Sequence, residues 1–209
     1  MNQVNSENVF PVSGETLPRS AKENLLGQKG MILWLTGLSG SGKSTIAKKT
    51  EILLHAKGLH TKLLDGDNFR SGLNSDLGFS AIDRKENIRR VAEVAKMFLD
   101  NGLIVICTFI SPTREIREMC KRIIGENDFF EVAVFCPLEE CEKRDVKGLY
   151  AKARSGEIHD FTGIHQEYEE PLNPHVLLNT ERQPAVDSAG FLAEFVVKAQ
   201  GRQNTREKA

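Results

Sequence analysis

The sequence predicts an α/β fold: a doubly wound, five-stranded parallel sheet with helices on both faces. Three observations carry this. Short apolar runs at 31–35, 61–64, 103–107, 130–136 and 176–179 alternate with helical patterns. The run 103–107 (Leu-Ile-Val-Ile-Cys) is nearly all apolar, as a parallel strand covered on both faces must be. The first run leads into a glycine-rich loop and then a helix, the start of a βαβ unit.

That loop reads Gly37-Leu38-Ser39-Gly40-Ser41-Gly42-Lys43-Ser44-Thr45 and fits G-x-x-x-x-G-K-[ST] without mismatch. Its glycines let successive N–H groups turn inward around phosphate oxygens. The following helix adds the partial positive charge of its N-terminus. Lys43 is placed for the β- and γ-phosphates, and the Ser44 hydroxyl for Mg²⁺. The expected ligand is a nucleoside triphosphate.

The 209 residues suffice for one domain, and neither an internal repeat nor a second core is evident. Residues 1–30 are polar and proline-containing and read as an arm, with a short helix near 20–26; the domain spans 31–200; residues 201–209 form a polar tail. Lys plus Arg is 28 and Asp plus Glu 29, a formal net charge of −1, which argues against a general nucleic-acid or membrane-surface binder. No apolar run approaches the roughly 18 residues of a membrane span, and the N-terminus has no signal pattern. Cys107, Cys120, Cys136 and Cys141 form no C-x-x-C pair, so reduced thiols in a cytoplasmic protein are expected rather than zinc ligands.

Along the chain, the first helix should stop at Lys57-Gly58. The second strand ends in Asp65-Gly66-Asp67-Asn68, and the carboxyl ends of strands are where open α/β sheets bind ligands. Asp67 is therefore a candidate to orient or deprotonate an acceptor hydroxyl, or to help hold Mg²⁺; the same residues would equally make a polar turn. Ser80-x-x-Asp83 resembles a capping box, so a helix should start near Ala81, with Ile88, Val91, Val94, Ala95, Phe98 and Leu99 inward. Arg84 and Asn87 share a face in its first turns, and Arg is suited to anionic oxygens; a solvated charged face is the alternative. Ser111 before Pro112 reads as a helix N-cap. Residues 145–163 carry Lys147, Lys152, Arg154, three glycines and Phe161, the composition of a basic lid that could close over phosphates. The last helix, 184–200, places Ala185, Val186, Phe191, Leu192, Phe195 and Val196 on its apolar pattern.

No N-K-x-D base-reading motif of a GTPase is present, and the 103–107 strand runs into Thr108 without the acid that motor and transporter ATPases place there. An acid on the second strand, arginines at the next helix and a basic lid suit a small-molecule kinase, which closes over an anionic acceptor to exclude water.

At this point the chain resembles the adenylylsulfate kinase family, of P-loop kinase architecture with a helical and loop lid. The matching blocks are Gly-Leu-Ser-Gly-Ser-Gly-Lys-Ser at 37–44, Leu-Leu-Asp-Gly-Asp-Asn at 63–68 and Asp-Leu-Gly-Phe-Ser at 76–80. Asp-Arg-Lys-Glu-Asn-Ile-Arg-Arg at 83–90, Phe-Ile-Ser-Pro-Thr-Arg at 109–114, Arg-Asp-Val-Lys-Gly-Leu-Tyr at 144–150 and Asp-Phe-Thr-Gly-Ile at 160–164 complete them. The resemblance implies transfer of the ATP γ-phosphoryl group to the 3′-hydroxyl of adenosine 5′-phosphosulfate. It implies that loop residues 37–45 hold ATP, that Ser44 and Asp67 serve Mg²⁺, and that Lys43 and Asp67 act in catalysis. Asp65, Arg70, Arg84, Asn87, Ile110, Ser111 and Lys147 would form the acceptor site, with Phe79 and Phe161 sandwiching its adenine. Ser111 matches a family position described as a phosphoserine; in-line transfer does not require it. A homodimer and a functional link to an ATP sulfurylase are implied in the same way.

Overall fold

The computed structural model describes residues 15–201; the outer parts of the predicted arm and tail, 1–14 and 202–209, lie outside the described residues. The elements in order are α1 (Arg19–Leu26), β1 (Met31–Thr36), α2 (Lys43–His55), β2 (Thr61–Asp65), α3 (Gly66–Ser71), α4 (Ala81–Leu99), β3 (Ile104–Thr108), α5 (Arg114–Ile124), β4 (Phe129–Phe135), α6 (Leu138–Arg144), α7 (Leu149–Arg154), β5 (Val176–Asn179) and α8 (Ala185–Ala199). All five strands pair in parallel, in the order β2-β3-β1-β4-β5.

The alternation of side chains along a strand divides the core in two. Leu33 and Leu35 of β1 face Ile46, Leu54, Leu192 and Val196 on α2 and α8. Ile32 and Trp34 face the other way, against Val91, Ala95, Ile116 and Cys120 on α4 and α5. The Trp34 indole stacks on Phe109 with centroids 5.8 Å apart and leans on Phe129 at 5.9 Å. Each such fully buried aliphatic or aromatic side chain contributes about 1.5–3 kcal/mol, so the strands are held mainly by these two layers. Both β1 and β3 are buried at every position, which explains their uninterrupted apolar runs. The predicted inward residues of α4 are buried or half-buried. On α8, by contrast, Val186 and Phe191 are more than half exposed, and Ala189 and Ala193 fill the seam instead.

Helix α1 is tied to the domain through Arg19 and through Glu23, which accepts from the Gly30 N–H at 2.8 Å. Arg19 donates to both Asp128 oxygens, at 2.7 and 2.8 Å, and to the Gly30 carbonyl at 2.8 Å. Buried Gln28 then clamps the starts of β2 and β3, donating to Gly102 O at 2.8 Å and accepting from the His60 N–H at 2.7 Å. Ser80 caps α4 as expected, accepting from the Asp83 N–H at 3.2 Å. The predicted cap of α5 is corrected. Thr113 is the N-cap, bonding the Ile116 N–H at 3.3 Å, whereas Ser111 has φ +43° and its hydroxyl is used elsewhere. The helix starts two residues later than Pro112 implied, because the chain must first turn away from β3 through Ser111.

Candidate functional site

The loop 37–45 leaves the carboxyl end of β1, the middle strand, where the sheet order switches sides and a crevice opens. Glycine at 37 is demanded by packing: a Cβ there would lie 2.4 Å from the Val134 carbonyl oxygen. Gly40 and Gly42 both have positive φ, which turns the loop into the start of α2. Lys43 is 8% exposed and donates to the carbonyls of Gly37 at 2.9 Å and Leu38 at 2.7 Å. Burial lowers its pKa to about 8, with the Lys147 ammonium adding to that and nearby acids opposing it. Ser39 and Ser41 are held from outside: Tyr150 donates its hydroxyl to Ser39 O at 2.9 Å, and Arg144 bonds Thr180, whose hydroxyl donates to Ser41 O at 2.8 Å.

Across the crevice, Asp65 ends β2. Its Oδ2 accepts from Ser44 Oγ at 2.6 Å and from Thr108 Oγ1 at 2.7 Å, while Oδ1 accepts from the Asp67 N–H at 3.1 Å. Burial works to raise its pKa, but these donors and the Lys147 charge outweigh that and hold it below the usual carboxylate range. In the sheet register Asp65 stands beside Thr108. The acid missing from the end of β3 is thus delivered by the neighbouring strand. Among the described residues no group of three or more His, Cys, Asp or Glu could enclose a metal. A hydroxyl and one carboxylate are nevertheless the donor set that Mg²⁺ uses when substrate phosphates and water complete its shell. Sequence reasoning paired Ser44 with Asp67 for the metal; the contact to Ser44 is made by Asp65.

Asp67 is exposed, at the start of α3, and its carboxylate pairs with the Lys147 ammonium from the loop before α7. The loop after β4 and its helices form a small third core, in which Phe161 packs edge-on against Tyr150 with centroids 5.0 Å apart. The expected basic face of this lid is paired with acids, Lys147 reaching across to Asp67 and the others meeting acids of the lid itself. Lys152 pairs with Glu157 just beyond the end of α7, and Arg154 with Glu142, twelve residues back on α6.

The arginines near α4 divide into two kinds. Lys85, Arg89 and Arg90 pair with Glu115, Glu86 and Asp76, the solvated face foreseen as an alternative. Arg70 and Arg84 hydrogen-bond only to neutral groups, with Asp83 and Asp160 acting on them through space alone. Arg70 donates to Gly78 O at 2.8 Å and lies 4.2 Å from the centre of the exposed Phe79 ring. Arg84 donates to Phe79 O at 2.8 Å, to Thr162 Oγ1 at 2.7 Å and to the Asp160 carbonyl. Burial lowers the pKa of both, and for Arg84 the Arg70 charge adds to it. Two guanidinium groups hydrogen-bonded only to neutral groups thus flank an exposed aromatic ring. Asn87 is not on this surface: it is buried against Asn74, with 2.9 Å between their amides. Phe161 is 8% exposed and Phe79 is 59% exposed, and Arg84 bridges the two loops that carry them.

Ser111 is buried. Its hydroxyl accepts from the Trp34 indole N–H at 2.9 Å and donates to Phe109 O at 3.2 Å. Ile110 is half-buried beside it, its carbonyl accepting from Thr36 Oγ1 at 2.6 Å. Sequence reasoning missed Thr36, Thr108, Arg117 and Tyr168. A signal for Arg117 existed: it shares the apolar helical face of Cys120 and Ile124, and Glu131 interrupts an apolar strand. Charges in such places need each other.

The family model for adenylylsulphate kinase matches residues 29–179. The adenylyl-sulfate kinase of Phocaeicola vulgatus is 54% identical over 97% of this chain and 100% of its own length. The bifunctional enzyme NodQ of Rhizobium tropici is 57% identical over 85% of this chain, which covers 28% of that longer protein. Among solved structures, the Mycobacterium tuberculosis APS kinase CysC in complex with AMPPNP and APS superposes with a TM-score of 0.77, at 46% identity, over 80% of this chain and 97% of that one.

Proposed function

The chain belongs to the adenylylsulphate kinase family, and from that premise we infer the chemistry of its site. It transfers the γ-phosphoryl group of ATP to the 3′-hydroxyl of adenosine 5′-phosphosulfate, giving ADP and 3′-phosphoadenosine 5′-phosphosulfate, a step of sulfate assimilation. The observation that carries the acceptor assignment is the contrast among the arginines: Arg70 and Arg84 hydrogen-bond only to neutral groups and flank an exposed ring, while their neighbours form ion pairs with acids.

The backbone of residues 37–45 and the Lys43 ammonium would hold the triphosphate. Lys43 must exchange the Gly37 and Leu38 carbonyls for phosphate oxygens to do so. Ser44 and Asp65 are the oxygens suited to hold Mg²⁺, which when bound neutralises phosphate charge. Asp67 is then left for the acceptor: its carboxylate would accept the hydrogen bond of the ribose 3′-hydroxyl and receive its proton as the new P–O bond forms and the bond to the ADP oxygen breaks. Lys147 holds Asp67 in the free protein and would pass to the transferring phosphoryl oxygens as the lid engages. Arg70 and Arg84 would take the phosphosulfate end, and Phe79 the adenine, with Phe161 on its other side. Asn87, buried against Asn74, would support this subsite only indirectly. The Ser111 hydroxyl is committed on both sides, so its part is to shape the turn; Ile110 and Ser111 would contribute backbone.

We take residues 31–200 as the catalytic domain and assign the protein to the cytoplasm, its four free cysteines being all buried. Among the described residues no helix is long and apolar enough to cross a membrane. A homodimer is proposed from the family, as is a link to an enzyme that makes adenosine 5′-phosphosulfate from ATP and sulfate. The test is mass analysis after incubation with ATP, Mg²⁺ and either adenosine 5′-phosphosulfate or AMP. A 3′-phosphorylated product only with the first is expected; phosphorylation of AMP instead would overturn the reading.

A further inference from the structure

Arg117 on α5 is 3% exposed, and each nitrogen of its guanidinium has a different partner. Nε meets Glu131 Oε1 of β4 at 2.8 Å, Nη1 donates to Ser111 O at 2.7 Å, and Nη2 donates to Glu169 O at 2.6 Å. The Tyr168 ring lies 5.8 Å from the guanidinium, and the Tyr168 hydroxyl is 3.0 Å from Thr36 Oγ1, which in turn donates to Ile110 O. The adjacent carbonyls of Ile110 and Ser111 are therefore each fixed, one by Thr36 and one by Arg117. Between them the backbone takes φ +43° at Ser111, a conformation that costs a non-glycine residue energy and persists only where its surroundings enforce it.

A buried ion pair is weak evidence for stability, since removing two charges from water is unfavourable. Glu131 reports that cost: burial raises its pKa in spite of the Arg117 charge beside it. An apolar pair would fill the same space. What an apolar pair could not do is hold two separate backbone segments, 110–111 and 168–170, in fixed relation.

We propose that Arg117 is a positioning residue for the acceptor, locking the Ile110–Ser111 turn and the 168–170 segment in the arrangement that presents the turn to the anionic end of the acceptor. The inference rests on the proposed placing of the acceptor at Ile110 and Ser111. Arg117 has no bond to residues 37–45, so ATP binding should depend on it much less than acceptor binding does.

The experiment measures KM for ATP and for adenosine 5′-phosphosulfate separately in Arg117→Met, Arg117→Lys and Tyr168→Phe. Arg117→Met should raise the acceptor KM about tenfold or more while the ATP KM moves less than about twofold. Arg117→Lys keeps the charge opposite Glu131 but cannot span both carbonyls; it should fall between wild type and Arg117→Met. Tyr168→Phe, which removes only the hydroxyl bonded to Thr36, should shift the acceptor KM in the same direction. If Arg117→Met does not fold, the Lys and Tyr168 variants carry the test. Equal changes in both KM values, or losses that merely follow the melting temperature, would overturn the proposal. An unchanged acceptor KM in variants of an active enzyme overturns this inference alone; a wild type that makes no 3′-phosphorylated product overturns the functional reading beneath it.

Discussion

The Ser44 hydroxyl donates to Asp65 Oδ2 at 2.6 Å, joining the phosphate loop to the end of a strand two places away in the sheet. Thr108, on the strand between, donates to the same oxygen at 2.7 Å and holds the carboxylate in place. Asp65 therefore orients the Ser44 hydroxyl, which is proposed above to face Mg²⁺. Asp65→Asn keeps the size and loses the charge. It should raise the Mg²⁺ concentration for half-maximal turnover by roughly 10- to 100-fold, the usual cost of losing a charge around a metal. The check is a Mg²⁺ titration of phosphoryl transfer with a Mg²⁺-dependent ATP-binding measurement beside it. Unchanged half-saturation in both would remove Asp65 from the metal side.

Asp67 and Lys147 make the second testable pair. The two are exposed, so their mutual attraction contributes little to stability. Asp67→Ala should leave melting and ATP binding close to wild type and slow transfer by roughly 10²- to 10⁴-fold, the range of a positioned proton acceptor. Lys147→Ala should slow transfer less and leave Asp67 free. A single-turnover assay with prebound ATP reads both; turnover retained in Asp67→Ala would return the acid to the role of a polar turn.

The arginines offer an internal comparison on neighbouring turns of one helix. Arg84→Gln removes a cation with no carboxylate partner, and should raise the acceptor KM by roughly ten- to a hundredfold, the size of a lost charge-assisted hydrogen bond. Arg89→Gln removes one already paired with Glu86 on the outer face, and should change neither KM nor melting appreciably. Because Arg84 also ties Phe79 to residues 160–162, melting curves must accompany the kinetics. Equal effects of the two substitutions would dissolve the distinction between the two kinds of arginine.

The strands and the phosphate loop were legible because their signals are local: a period of two or an unbroken apolar run, and glycines at fixed spacing. All five expected strands are observed within a residue or so of the predicted bounds. What was not legible depends on register between distant segments. Nothing local says that Asp65, rather than Asp67, meets Ser44; that follows from β2 pairing with β3 so that Asp65 stands beside Thr108. Ser111 looked like a cap because Ser-Pro is a common cap signal, but Trp34 and Arg117, 77 and 6 residues away, claim its hydroxyl and carbonyl. The lid looked basic because a composition count does not see that Glu142 and Glu157 neutralise two of its cations.

Lys43 allows a prediction in which the sign is fixed by its surroundings. Burial lowers its pKa from 10.5 to about 8 in the free protein. In an unfolded chain the group would titrate near the ordinary lysine value, so between about pH 8 and 10.5 the unfolded state binds more protons than the folded one. Stability attributable to Lys43 therefore rises with pH across that window and is flat below it. Bound triphosphate reverses the local balance, because phosphate charge favours the ammonium. ATP binding near pH 8.5–9 should then take up protons, whereas near pH 7, where the lysine is already charged, this group takes up little. Titration calorimetry in two buffers of different ionisation enthalpy measures the uptake directly. Lys43→Met should abolish the pH 8.5–9 component, and uptake that persists in that variant would assign the proton to another group.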